Sequence, residues 1–443
     1  MKLRAVRLFR VICFLFILYW LIDAANYCLY NDNAYTRVMF HEAYTAERID
    51  VAFIGSSNVY RHFDPEIWDA SLGMKTFNLG TSSQTPDAAY YVMKELFKSQ
   101  SPAYCIYGIN FILFLEMEAY ENPKNHYIIF DYLKFSADKC MYAYTAFHEK
   151  FMLNAWLPMT RNANKDLLNI AKETISVKGT ENYQKYGYDV YGTTDTEEYR
   201  GRGFVYSYEE TAKGEVGKPG GFVFKDYKVN EAYIASIRKL KELCDENECE
   251  LILIVPPLPY ASMKQQGDYQ KILDLYEEIA EELDVSLFDF DLSRPEYLLM
   301  EDDDFYDHAH MSGKGAEKFS RAASKLIRQY IDGKEINKSE YFYSSYEELL
   351  NHSPWIFNAW IEKTEDGYTA HSTYGNGVRP EYCFYWSGDK GNNWNLLREY
   401  SGDNRIEYGS IPDECNMIMV CVRPEGVSAG GALYQQCDRM ELQ

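Results

Sequence analysis

Three side chains of this sequence have types and spacing suited to joint chemistry. Near residue 310 the chain reads Asp307-His308-Ala309-His310-Met311-Ser312-Gly313-Lys314-Gly315-Ala316, where a helix is expected to open. A carboxylate three positions before an imidazole can hold the ring's Nδ1 proton and leave Nε2 free as a base. A base needs a nucleophile, and the best candidate lies far upstream, where Val51-Ala52-Phe53-Ile54 runs into Gly55-Ser56-Ser57-Asn58. Ser57, His310 and Asp307 together imply acyl transfer through a serine, to water or to another hydroxyl.

The elements expected to position them alternate. Strands are predicted at Ile49 to Ile54, Thr76 to Leu79, Tyr104 to Tyr107, Glu250 to Val255 and Val285 to Phe290. Between them helices are expected from Asp64, from Thr85 with Pro86 in its first turn, around Ile237 and Leu240, around Ile272 and Tyr276, and from Ala316 to Tyr330. Five alternations predict an α/β domain with a parallel sheet covered on both faces. Ligands of such a sheet bind beyond the carboxyl ends of its strands. Ser57, Gly80, Asn110, Pro256-Pro257 and the Asp307 to His310 loop each follow one of the predicted strands, so they should meet on one edge. There the backbone N–H groups of Ser57 and Gly80 and the amide of Asn110 are candidate donors to a tetrahedral oxyanion; pinning a loop is the other role open to Asn110. His308 is expected as a solvated neighbour, and His62 as local structure beside Arg61.

These blocks resemble those of the SGNH, or GDSL-like, hydrolase superfamily. Gly55-Ser56-Ser57 is similar to its nucleophile block, Gly80 to its second-block glycine, Gly108-Ile109-Asn110 to its Gly-x-Asn, and Asp307 to His310 to its Asp-x-x-His. The resemblance covers about residues 49 to 110 and 230 to 330. It implies a flavodoxin-like, doubly wound five-stranded parallel sheet, Ser57 as nucleophile with His310 and Asp307, and no cofactor or metal. Two departures are Ser56 in place of an acidic residue, and Phe111 where an aspartate often follows the asparagine. In layout the chain is similar to anchored bacterial members that move acyl groups on surface polymers, by D-alanylation or O-acetylation. A cell-surface glycan or acylated polymer and a membrane-bound acyl-donor protein are therefore the expected partners. A noncatalytic polysaccharide-binding protein that keeps this fold is the alternative.

The remaining regions differ in character. Lys2, Arg4, Arg7 and Arg10 precede an apolar run, and Leu8 to Ala25 approaches the length of a spanning helix. Residues 1–30 are thus expected as a basic tip and transmembrane anchor, with the body outside the cytoplasm. Cleavage near Ala24-Ala25 would make the segment a signal peptide instead, although Asp23 and the bulky residues before it make a poor cleavage site. The catalytic domain is expected over 31–335. Within it, about residues 111–229 lose the alternation, are rich in Tyr, Asn and Gly, include Gly220-Gly221, and read as an insertion or lid. Arg200 and Arg202 there are candidates for a polymer carboxylate or phosphate, solvation being the plainer reading. Short alternating runs over 340–443 predict a small β-sandwich.

Across its 443 residues the chain carries a net charge of −22, which argues against an extended phosphate-binding surface and so against a nucleic-acid partner. Its 40 Tyr offer flat faces suited to sugar rings, and fill strands equally well. The ten Cys match no zinc spacing; Cys244 and Cys249 could close a small loop, and Cys415, Cys421 and Cys437 cluster near the C-terminus.

Overall fold

The computed structural model describes residues 2–110, 114–115, 122–190, 195–210, 228–265, 269–427 and 436–442. Phe111 and Gly220-Gly221 lie outside these. Strands β1 (Val51–Gly55), β2 (Thr76–Asn78) and β3 (Tyr104–Gly108) come first; a hairpin of β4 (Glu197–Tyr199) and β5 (Val205–Ser207) follows, then β6 (Glu250–Val255) and β7 (Ser286–Asp289). β1, β2, β3, β6 and β7 form one sheet in the order β2-β1-β3-β6-β7, every pairing parallel. Val51 to Gly55 are all buried, as are Leu251 to Val255, because a sheet covered on both faces has no solvent side for polar residues.

Chain reversal at β1 positions the site. β2 lies on one side of β1 and β3 on the other, so right-handed crossovers send their helices to opposite faces. The helices Pro65–Leu72 and Gly313–Ile331 pack together, while Pro86–Leu96 packs on Glu231–Glu246. The diverging connections put the switch point of the sheet at the carboxyl ends of β1 and β3, where ligands of such sheets bind. Ser57 and Asn110 stand at those two ends.

The stretch read as an insertion or lid is largely helical where described. Helices Lys124–Phe130, Ala137–Ala146 and Glu149–Trp156 gather around Tyr127, Phe130, Tyr142 and Phe147, and Leu167–Lys178 packs instead on the N-terminal helix. Each is short, so no long apolar period marks it in the sequence. The β4–β5 hairpin is tied to the sheet edge, where the Asn78 N–H donates to the Arg202 carbonyl (2.9 Å). Gly203 makes that approach possible: its φ is +82°, and a Cβ there would lie 1.8 Å from the Asn78 carbonyl oxygen. We expect Gly203→Ala to destabilise the protein by more than about 1 kcal/mol, read as a lower denaturation midpoint in urea.

Beyond the sheet, Phe342, Tyr346 and Leu349 still pack into the large core. Seven strands then follow: β8 (Ile356–Lys363), β9 (Gly367–Tyr374), β10 (Pro380–Ser387), β11 (Asn395–Ser401), β12 (Arg405–Glu407), β13 (Met417–Pro424) and β14 (Gln436–Glu441). They form antiparallel sheets β11-β10-β13-β14 and β12-β9-β8, which share a core of Ile356, Ala359, Phe384, Ile418 and Val420. A disulfide joins Cys421 to Cys437 across β13 and β14. Cys244 and Cys249 are free, so the small loop between them is not closed, and Cys415 is free as well. At the other end one helix, Lys2–Leu29, contains a 24-residue apolar stretch, Val6–Leu29, long enough to cross a membrane.

Candidate active site

The turn that delivers Ser57 is built on glycine. Gly55 ends β1 with φ +137°, and a Cβ on it would lie 2.5 Å from the Gly108 carbonyl oxygen at the end of β3. Helix Ser57–His62 begins at once, so Ser57 is its first residue. The first N–H groups of a helix lack partners within it. No side chain caps this one, and the Ser57 N–H has no intramolecular acceptor among the described residues.

Across the crevice, the Asp307 to His310 loop presents its ring to that serine. The Ser57 hydroxyl donates to His310 Nε2 (2.7 Å), and His310 Nδ1 donates to Asp307 Oδ2 (2.8 Å), the tautomer following from these two partners. The other carboxylate oxygen of Asp307 accepts the N–H groups of Ala309 and His310, each at 2.7 Å. Burial raises the Asp307 pKa, but the bond to His310, the charge of that ring and the two backbone donors outweigh it and hold the carboxyl at about 2. It is therefore charged at any pH where an imidazole can act as a base. Residues far apart in sequence thus form one hydrogen-bonded row of hydroxyl, imidazole and carboxylate.

Side chains from other elements pin the loop. Asn58 Nδ2 donates to the Ala309 carbonyl (3.1 Å), and the Ser262 hydroxyl to the His308 carbonyl (2.7 Å). The Met311 N–H donates to His62 Nε2 (2.9 Å). His62 is fully buried and neutral: burial, then the neighbouring His310 and Arg61, push its pKa well below that of a free histidine. It is thus a support for the loop and not a second base. His308 is exposed, with only its carbonyl tied down.

Asn58 is the functional residue that sequence reasoning missed. Its Oδ1 accepts from Asn110 Nδ2 (3.1 Å) while its own amide holds Ala309, so one buried side chain links the ends of β1 and β3 to the histidine loop. The signal was its place beside Ser57, which periodicity does not weigh. We expect Asn58→Ala to lower kcat by about 10- to 100-fold with little change in KM, since it misplaces groups without removing one; steady-state kinetics on a soluble ester checks this.

Gly80 requires a correction. Its N–H is taken by the Asn78 side-chain oxygen (3.0 Å), and a Cβ there would meet Tyr60 N at 2.8 Å. Glycine is needed there for close packing under helix Ser57–His62, not for oxyanion binding. Of the other expected donors, the Asn110 amide donates to Asn58 Oδ1 (3.1 Å), and the Ser57 N–H lies in the first turn of its helix. Arg200 is exposed, in keeping with a solvated cation, and pairs with Glu198 while stacking on Tyr206; Arg202 is half-buried and pairs with Asp69 (2.7 Å). In their place Arg61 links the hairpin to the site, pairing with Glu197 at 2.6 Å.

A five-stranded doubly wound sheet with this row at its switch point has the design of a serine hydrolase. No protein-family model matches the chain, and no curated protein matches it. Among solved structures, a GDSL-like lipase from Bacteroides thetaiotaomicron is 12% identical, with a TM-score of 0.30 over 68% of this chain and 97% of that one. A psychrotrophic esterase from a Pseudoalteromonas species is 8% identical, with a TM-score of 0.28 over 64% of this chain and 99% of that one. An acetyl xylan esterase from the rumen bacterium Butyrivibrio proteoclasticus is 10% identical, with a TM-score of 0.26 and 65% of each chain covered. What this site can do is set by its own geometry.

Proposed function

We propose that this protein is an SGNH-type serine esterase or O-acyltransferase that works outside the cytoplasm through a Ser57 acyl-enzyme. Its substrates are O-acyl groups, acetyl above all, on a cell-surface polysaccharide. The observation that carries this reading is the unbroken row from Ser57 Oγ through His310 to Asp307. As Ser57 Oγ attacks the ester carbonyl, its proton passes to His310 Nε2, and Asp307 stabilises the imidazolium. In this reading the Ser57 N–H is the backbone donor to the developing oxyanion, and Asn110, held by Asn58, is the side-chain donor. His310 then returns the proton to the departing alcohol, and the acyl group stays on Ser57. Water or a glycan hydroxyl, deprotonated by His310 in turn, removes it; access of water to the acyl-enzyme decides between hydrolysis and transfer.

For the polymer, support comes from a cavity of about 420 Å³ between the sheet domain and the antiparallel strands. Tyr260, Trp355 and Phe357 line it beside Glu301, Asp302 and Gln436, a mixture of ring faces and hydrogen-bonding groups suited to sugars. Glu301 and Asp302 belong to the segment that leads into the catalytic loop. The helix Lys2–Leu29 serves in this reading as the anchor of residues 1–30, followed by the catalytic domain over 31–335 and a β-sandwich over 340–443 that can also dock an acyl-donor protein.

Labelling the full-length chain with a serine-directed fluorophosphonate, then mapping the adduct, tests the catalytic reading. Modification confined to Ser57 and abolished in Ser57→Ala is expected. No adduct, with glycan binding retained, would establish instead a noncatalytic polysaccharide-binding protein.

A further inference from the structure

Exposed apolar side chains are unevenly distributed over this molecule. Outside the helix Lys2–Leu29, the large exposed aliphatic and Phe side chains among the described residues are Phe135, Met141, Leu153, Leu167, Leu168 and Ile175, with Leu396 alone elsewhere. All but Leu396 fall within 41 residues of the helical insertion. Phe135 is 81% exposed, Leu168 77% and Leu153 60%. Single exposed apolar residues are ordinary, but a concentration of them in one subdomain calls for an occupant.

The fold places this subdomain against the end of the apolar helix. Ile22, Ala25, Asn26 and Leu29, one face of its last two turns, are half-buried, and helix Leu167–Lys178 lies alongside. The join is polar as well as apolar. The Met159 N–H donates to Asn26 Oδ1 (3.0 Å), Asn162 Nδ2 to the Leu29 carbonyl (2.8 Å), and the Tyr30 hydroxyl to Asp131 (2.5 Å). Arg161 holds the same Asp131 by two bonds of 2.7 Å. A helix fixed in this way cannot swing freely away from the insertion, so where one enters a bilayer the other is carried to its surface. Charge agrees: residues 122–190 hold nine Lys and Arg against seven Asp and Glu, a local balance of +2 in a chain of −22. A near-neutral to basic surface carrying apolar side chains suits an anionic lipid interface.

We propose that the exposed apolar side chains of residues 135–175 sit in the lipid interface beside the membrane-spanning helix, so that the insertion fixes the catalytic crevice at a set height above the bilayer. This rests on reading Val6–Leu29 as membrane-spanning and does not depend on the Ser57 chemistry. Lipid is the occupant, because the surface adjoins the end of a helix whose Val6–Leu29 stretch is long and apolar enough to cross a membrane.

The test uses the full-length chain reconstituted in vesicles of phosphatidylcholine and phosphatidylglycerol that contain a phospholipid with a diazirine in its acyl chain. After irradiation, peptides are mapped by mass spectrometry. Labels are expected in 6–29 and in 135–175, with none in the peptide that carries Leu396. The double variant Phe135→Asp, Leu168→Asp should cut labelling of the insertion by at least about fivefold while leaving turnover of a soluble ester unchanged. Labels confined to 6–29, absent from both segments, or equally strong at Leu396 would each overturn the proposal; the first outcome would leave a membrane protein as the occupant.

Discussion

Replacing Ser57 by Ala is expected to lower kcat for an acetyl ester by about 10⁴- to 10⁶-fold, with the protein still folded. The size follows from what is lost. In the proposed mechanism Ser57 Oγ is the atom that bonds to the acyl carbon, and no other hydroxyl is bonded to His310 Nε2 among the described residues. His310 and Asp307 would keep their geometry, since the bond between them and the two backbone bonds to Asp307 do not involve Ser57. What survives is the acceleration that binding and oxyanion donors give to direct attack by water. Ser57 is half-buried and its hydroxyl makes one internal bond, so the denaturation midpoint should move by less than the equivalent of about 1 kcal/mol. Equal rates for the two proteins on a purified ester would remove Ser57 from the mechanism.

The second large effect is expected at Asp307. Asp307→Asn should lower kcat by about 10⁴-fold while KM changes little. An amide in place of the carboxylate keeps the shape, but it cannot stabilise the imidazolium. It can also turn an N–H toward Nδ1 and so leave the proton on Nε2, where the serine needs an acceptor. This substitution has a signature in stability too. The folded pKa of about 2 lies below the value of about 3.9 for a free aspartate, so the carboxylate stabilises the fold above the latter, and that contribution is lost as pH falls through about 2. The gap in unfolding free energy between the native protein and Asp307→Asn should therefore be full at neutral pH and close between about pH 4 and pH 2. A gap that is constant with pH would mean that Asp307 does not carry its charge in the folded state.

Both predictions concern residues that were legible in the sequence, and the reason is local. Nucleophile, base and orienting acid each have to sit just past a strand or just before a helix, and those boundaries are marked by apolar runs ending in Gly, and by Ser312, which caps Gly313–Ile331 through Gly315 N. The five strands of the parallel sheet are marked in the same way, by short apolar runs that need no partner to be recognised. Gly80 shows the limit of this reasoning. A glycine after a strand has one appearance in sequence whether it admits a ligand or a neighbouring helix. Its N–H is directed by Asn78, whose Nδ2 also donates to the Val59 and Phe63 carbonyls, and that choice depends on where helix Ser57–His62 comes to rest. Arg200 and Arg202 illustrate the same point for charge, since a cation in a loop is free or paired only according to what packs beside it.

The sequence by itself determined which groups were available: a hydroxyl, an imidazole and a carboxylate at element ends, an apolar segment behind a basic tip, and alternating strands after the sheet domain. Only the tertiary structure decided how they are arranged. It brought Ser57 within 2.7 Å of His310 across 253 positions of chain, made Asn58 the link between them, turned the insertion into a helical subdomain, and fastened that subdomain to the apolar helix. The physical reason is that side-chain types and short-range periods are local properties of the chain, whereas each of these contacts joins segments whose approach is fixed by sheet order and packing.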